Sequence, residues 1–185
     1  MLYTGKGDKG TTKLFDTKSG ERVSKGSQMA EALGMLDELN SFIGFCKVKS
    51  EEGFLVNGVT LCDILEGIQE NLFIVQAEVA GNAEKKITQE KVVTMEGMID
   101  CIELEIPPIT SFTIAGGSEI SALLDVARTI ARRTERSITR VSESGDRNIS
   151  DSTRAYMNRL SSVLFALARF VNFKKGIKEK NPSYK

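Results

Sequence analysis

The sequence predicts an all-α fold. It is an antiparallel five-helix bundle, a four-helix core plus one helix, preceded by an irregular glycine-rich N-terminal segment. Three observations carry this: apolar residues recur at helical spacing in long stretches, short polar or Gly/Pro breaks separate those stretches, and residues 1–27 show no helical period. Helices near 20 residues joined by short connections pack as antiparallel neighbours. With 185 residues, of which 41% are hydrophobic and 27% charged, the chain has the length and composition of a single soluble domain. The expected division is one domain over 1–185, with an N-terminal loop at 1–27, the bundle at 28–173 and a flexible basic tail at 174–185.

Ser27 is the first N-cap signal. After it Ala30, Leu33, Leu36, Leu39, Phe42, Ile43 and Cys46 fall on one helical stripe. A second helix fits from about 59 to 78, with Leu61, Leu65, Ile68, Leu72 and Val75 on its apolar face. Thr88 caps a third helix carrying Val92, Met95, Met98, Ile99 and Ile102, and Pro107-Pro108 stops it. Residues 111–117 read as an extended segment closed by the Gly116-Gly117 turn. Ser118 caps a fourth helix to about 142, Gly145 breaks it, and a fifth runs from about 150 to 173. The stretch after 173 is basic and polar and is expected to fray.

Composition excludes several chemistries. Lys+Arg and Asp+Glu both total 25, so no net charge draws nucleic acid or an anionic membrane. Histidine is absent, which removes Ser-His and Cys-His nucleophile pairs, His-ligated zinc and the Glu-x-x-His di-iron signature. Cys46, Cys62 and Cys101 are far apart and form no Cys-x-x-Cys, so they read as reduced core thiols of a cytoplasmic protein. Lys6, Asp8 and Lys9 interrupt any signal-peptide pattern, and no apolar run approaches the ~18 residues of a membrane span.

Two segments carry polar chemistry. Gly5-Lys6-Gly7-Asp8-Lys9-Gly10 matches G-x-G-x-x-G, but only four residues precede Gly5 and no helix opens at Gly10, so the dinucleotide reading fails. The Walker reading fails as well, because no Lys-Ser/Thr pair follows the last glycine. What remains is a backbone that an anion can approach, flanked by lysines, by Thr11 and Thr12, and by Asp8 as a possible magnesium ligand. The plain alternative is a solvated N-terminus. On the fourth helix Arg128, Arg132, Glu135 and Arg136 cluster beside the apolar stripe of Leu123, Ala127, Ile130, Ala131, Ile138 and Val141. Three guanidinium groups around one carboxylate suit an anion, and a solvated face of i,i+4 pairs is the plain alternative. Phe112 on its own reads as core packing.

Taken in order, these segments resemble the PduO-type ATP:cob(I)alamin adenosyltransferases. Thr4 to Thr12 matches the T-x-x-G-D-x-G-x-T motif, Arg22-Val23-Ser24-Lys25 follows, and Gly34-Met35-Leu36-Asp37-Glu38-Leu39-Asn40 matches G-x-x-D-E-L-N. Phe112 to Gly117 is similar to the F-x-x-P-G-G turn, Arg128 to Arg136 to A-R-x-x-x-R-R-x-E-R, and Asn158-Arg159-Leu160-Ser161 to N-R-L-S. The usual L-H-V-A-R reads Leu124-Asp125-Val126-Ala127-Arg128, the turn proline is Ala115, and the aspartate after N-R-L-S is Ser162.

The resemblance implies transfer of the 5′-deoxyadenosyl group of ATP to the cobalt of cob(I)alamin, giving adenosylcobalamin and triphosphate. It implies an ATP site made of Thr4, Gly5, Lys6, Gly7, Asp8, Lys9, Gly10, Thr11, Thr12 and Lys25, completed by Arg132, Arg133, Glu135, Arg136 and Asn158. Mg²⁺ would enter with ATP, and no dedicated metal site is expected. It also implies a homotrimer with each nucleotide between subunits and an Asp37–Arg128 salt bridge across that interface. Phe112 would close the lower face of the corrin. Arg132, Phe112, Asp37 and Arg128 are the expected catalytic set. A reductase and an adenosylcobalamin-dependent enzyme are the implied further partners. The alternative is a non-catalytic ATP-binding module that carries corrinoid.

Overall fold

The computed structural model describes residues 2–19, 21–50 and 53–184; Met1 and Gly20 of the expected N-terminal loop and Lys185 of the expected tail lie outside them. Five helices form: α1 Gln28–Val48, α2 Leu61–Val79, α3 Gln89–Glu105, α4 Glu119–Glu143 and α5 Asp151–Lys174. The side-chain hydroxyls of Ser27, Thr60, Ser118 and Ser150 each accept the backbone N–H three residues on, satisfying a donor that the first turn leaves without a partner. Thr88 caps α3 by position only, without a side-chain bond.

Two short hairpins accompany the helices. In the first, β1 Thr11–Thr12 pairs antiparallel with β2 Val23–Ser24 inside the glycine-rich segment. The second, which the sequence reading did not anticipate, pairs β3 Leu55–Val56 with β4 Val59–Thr60. Asn57 and Gly58 turn it with φ of 49° and 79°, the left-handed pair that a two-residue hairpin turn requires. It explains why α2 begins at Leu61 rather than 59.

α1 packs between α2 and α4, and α5 packs between α4 and α3. Fully buried Leu36, Leu39, Leu65, Leu72, Leu124, Leu160 and Leu164 fill the space between them. α1 and α4 are antiparallel, since Met35 and Glu38 face Thr134 and Arg133 while Lys49 reaches Glu119. Directions alternate along the chain, and one packed pair is therefore parallel: α3 runs alongside α5, with Ile87 beside Thr153, Glu96 beside Arg159 and Pro107 beside Arg169. At the opposite end from Pro107, buried Glu78 of α2 accepts Ser150 N–H at 2.8 Å and the Thr153 hydroxyl at 2.5 Å, fixing the start of α5.

The stripes sit slightly off their expected registers. On α1, Met29, Ala32 and Asn40 are buried, whereas Ala30, Leu33 and Phe42 are only partly covered. On α4, Leu124 is fully buried in place of Leu123, with Ser121, Thr134 and Ser137 completing the face. The thiols also differ from expectation. Cys46 is a buried core thiol whose pKa burial pushes up to about 11, but Cys62 is exposed and Cys101 half-buried. The tail does not fray over 177–181: it folds back onto the connection between α3 and α4 and hydrogen-bonds there.

Candidate active site

The glycine-rich loop is two successive turns. Gly5 O accepts from Asp8 N at 3.2 Å and Gly7 O from Gly10 N at 3.0 Å. Gly5 and Gly10 hold φ of 66° and 73°, conformations that side-chain-bearing residues rarely adopt. The β1–β2 pairing then carries Lys25 back over the loop, where Lys25 N donates to Gly10 O at 2.8 Å. A Cβ at Gly7 would stand 3.0 Å from Lys25 Nζ, so the missing side chain is the space the ammonium uses. Lys6 and Lys9 are exposed, and the Thr4 hydroxyl accepts Lys6 N–H at 3.4 Å. Arg22 was quoted in a motif but given no role by sequence. Its guanidinium donates to the Thr11 hydroxyl and carbonyl, each at 2.8 Å.

The base of the loop is anchored to the bundle. Leu14 is buried, Phe15 N donates to Ala80 O at 2.9 Å, and Asp16 pairs with Arg147 at 2.5 Å. The Arg147 hydrogen bond holds the Asp16 carboxyl below the usual aspartate range. Between the loop and α1 lies a hollow of about 710 Å³, walled by Leu14, Phe15, Lys25, Ala30 and Leu33. The stripe residues Ala30 and Leu33, half-buried on α1, are the floor of this hollow.

A second hollow of about 410 Å³ opens between α4 and α5, and its walls include Arg132, Glu135, Arg136 and Asn158. Asn158 donates to Glu135 Oε1 at 2.9 Å and accepts from Arg159 at 2.7 Å, while Arg159 also pairs with Glu96. Glu135 is thereby occupied in orienting an amide. Arg132 and Arg136 make no ion pair among the described residues, though six other arginines do. Arg133 faces α1 instead and binds Glu38 at 2.6 Å, outside this hollow. The loop hollow and the arginine hollow share no wall residue within one chain.

A third hollow, about 400 Å³, lies against the other side of Arg132 and is walled by Phe112, Thr113, Arg128, Ser161, Ser162 and Phe165. Phe112 is 80% exposed, so the core-packing reading of this residue is wrong. Phe165 was not singled out from sequence; its i+7 spacing from Asn158 on α5 was the available signal. Arg128 lies over the Phe165 ring at 5.7 Å, a cation–π contact, and pairs with Asp125 at 3.3 Å. Asp37 is exposed on α1 and has no partner among the described residues, so the chain by itself does not bring Asp37 and Arg128 together.

Phe112 stands on a segment held by others. Gly116 and Gly117 have φ of 111° and 125°, and a Cβ on Gly117 would meet Asn172 Oδ1 at 2.4 Å. Asn172 donates to Gly116 O at 2.8 Å and accepts Ser118 N–H at 3.1 Å. From the tail, Lys180 O accepts Ile114 N–H at 2.7 Å and Asn181 donates to Phe112 O at 2.8 Å. Nearly buried Arg169 binds Glu179 through two bonds, at 2.7 and 2.9 Å, and Pro107 O at 2.9 Å.

The chain is similar to known proteins over nearly its whole length. Residues 2–171 match the family model described as cobalamin adenosyltransferase. A corrinoid adenosyltransferase of Bacillus subtilis is 39% identical over 181 residues, covering 95% of this chain and 89% of that protein. The human corrinoid adenosyltransferase MMAB is 34% identical, covering 97% of this chain and 72% of the relative. The PduO protein of Citrobacter freundii is 37% identical, and this chain spans about half (49%) of its length. Among solved structures, a variant PduO-type ATP:corrinoid adenosyltransferase from Lactobacillus reuteri complexed with cobalamin and ATP superposes with a TM-score of 0.87 at 30% identity, covering 99% of both chains. A second variant from that organism, complexed with ATP, gives 0.86 at 32% identity, covering 98% of this chain and 99% of the other. The match over nearly all of the sequence and of the fold places this chain in the cobalamin adenosyltransferase family.

Proposed function

We propose that this chain transfers the 5′-deoxyadenosyl group of ATP to the cobalt of cob(I)alamin, releasing triphosphate. The observation that carries the reading is the position of Arg132, which walls both the polar hollow and the aromatic one. A group bound in the first would meet a group bound in the second at this guanidinium. Arg132 and Arg136, without partners among the described residues, suit the triphosphate. Glu135, Asn158 and Arg133, the last oriented by Glu38, complete the nucleotide site. Phe112 and Phe165 suit the face of a corrin.

The electron count closes without a base. Cobalt(I) supplies an electron pair to C5′ of ATP, the Co–C bond forms as the C5′–O bond breaks, and the pair leaves on the triphosphate. No proton is removed, so a chain without histidine loses nothing. Negative charge grows on the leaving group, where fixed cations stabilise the transition state more than the ground state. Phe112 would occupy the position of an axial ligand, which eases reduction of cobalt(II) and keeps water from cobalt(I).

A homotrimer supplies the remaining cations in this reading. The loop of a neighbouring subunit (Thr4, Gly5, Lys6, Gly7, Lys9, Gly10, Thr11, Thr12 and Lys25) would close over the arginine hollow, and Asp37 of the neighbour would approach Arg128. Two features support it: loop and arginines sit apart in one chain, and Asp37 is exposed without a partner among the described residues. Mg²⁺ would enter carried by the phosphates, with at most Asp8 from the protein, and would neutralise phosphate charge. The reduced thiols fit a cytoplasmic setting.

Protein, Mg·ATP and chemically reduced cobalamin, mixed without oxygen, should yield a light-sensitive alkylcobalt spectrum. ATP binding with an unchanged corrin spectrum would instead identify a corrinoid carrier. Centrifugation should give three times the chain mass.

A further inference from the structure

Asp125 stands where the family motif carries histidine, and its side chain is only 13% exposed. Each carboxylate oxygen has one partner: Oδ2 accepts the Gly116 N–H at 3.2 Å and Oδ1 accepts Arg128 Nε–H at 3.3 Å. Arg128 and Phe112 both wall the aromatic hollow, where Arg128 lies over Phe165. Gly116 is not itself a wall, but it ends the segment that carries Phe112 and Thr113, which are. Residues 107–117 form no helix or strand, so contacts from outside must fix them. Among the described residues Asp125 provides the Gly116 N–H with its acceptor and is the one ion-pair partner of Arg128.

We infer that Asp125 is a positioning residue that clamps the Phe112 turn to Arg128, setting the width of the corrinoid hollow. The inference rests on the function proposed above. A histidine at this place would be neutral or cationic and would not pair with a guanidinium. The clamp is therefore a property of this chain's own sequence. One carboxylate that joins a backbone amide to a side-chain cation holds both in one geometry, since neither can move without giving up a charge-assisted bond.

Two variants separate the clamp from general packing. Asp125→Asn keeps an oxygen for Gly116 N–H and removes the charge that holds Arg128; Asp125→Ala removes both. The readouts are the visible spectrum of bound cob(II)alamin, which reports the fraction lacking an axial ligand, and kcat and KM for each substrate. Asp125→Asn should lower that fraction and kcat about tenfold with KM for ATP unchanged within about twofold, the size of one lost charge-assisted bond. Asp125→Ala should lower them further. In an Arg128→Ala background Asp125→Asn should add nothing, because its effect runs through the arginine. Spectra and kinetics equal to the parent would overturn the clamp. So would a matching loss of ATP affinity and melting temperature, or an undiminished effect in the Arg128→Ala background. A parent that makes no adenosyl product overturns the proposed function as well; an active parent with silent Asp125 variants overturns only this inference.

Discussion

Arg132 and Arg169 lie on adjacent helices of one bundle and have opposite circumstances. Arg169 is nearly buried, and its guanidinium is used up by Glu179 and the Pro107 carbonyl. Arg132 is exposed between two hollows and has no partner within the described chain. A charge inside a protein needs a counter-charge or water. Where the chain provides the counter-charge, the arginine is part of the scaffold; where it leaves the guanidinium beside a cavity, an anionic ligand can complete the pair. Sequence alone presents two arginines among many, and what separates them is a glutamate ten residues away on a returning tail.

The comparison predicts opposite responses to truncation. Arg132→Ala should show the largest effect, lowering kcat by about 10²–10³-fold, as loss of a preorganised transition-state cation does, with a melting temperature close to the parent's. Equal losses of stability and activity would erase the distinction. Glu179→Ala should do the reverse. It leaves a nearly buried guanidinium without its carboxylate, at a cost of about 2–3 kcal/mol, below the full penalty because Glu179 is itself 29% exposed. Denaturant unfolding would measure this, and turnover per folded molecule should fall less than in Arg132→Ala.

The smallest effect tests an intermediate case, the Asp16–Arg147 pair at the base of the loop, where Asp16 is 43% exposed. Asp16→Asn should cost less than about 1 kcal/mol at neutral pH. The folded-state pKa of Asp16 lies below its ordinary value, so the pair contributes fully above the usual aspartate range. That contribution is lost as pH falls through the lowered value. The stability gap between parent and Asp16→Asn should therefore close in acid, and a gap that widens there would reverse the assignment.

Local chemistry made the helices legible. Ser27, Thr88, Ser118 and Ser150 mark helix starts, and Pro107 and Gly145 mark breaks, because capping and proline geometry act within a few residues of chain. The β3–β4 hairpin was missed although Asn57-Gly58 signals it, since its two-residue strands are too short to show alternation. Ordered motifs brought out Arg132, Arg136 and Asn158. Phe165 had only its helical spacing from Asn158 to mark it, and the Asp125 bridge and the docked tail were out of reach, because each acquires meaning from partners in other elements: Arg128 for Phe165, Gly116 for Asp125, and Arg169 and Phe112 for the tail. The parallel run of α3 and α5 was hidden for the same reason.

That parallel pairing explains why a non-helical stretch exists beside the aromatic hollow. α5 lies between α3 and α4, so the chain leaving α3 must step over the end of one helix to reach the next but one. At about 8–10 Å between helix axes the step is roughly 16–20 Å, which takes at least five or six extended residues. A two-residue turn could not make it. The bundle's connectivity thus demands a bridge of at least that length, and the thirteen residues 106–118 supply it with several to spare. Only trimming it below about five or six residues should prevent folding, whereas a substitution at an exposed position such as Phe112 should leave the fold intact. In the function proposed above, Phe112 stands on a span whose minimum length is set by how the helices are threaded.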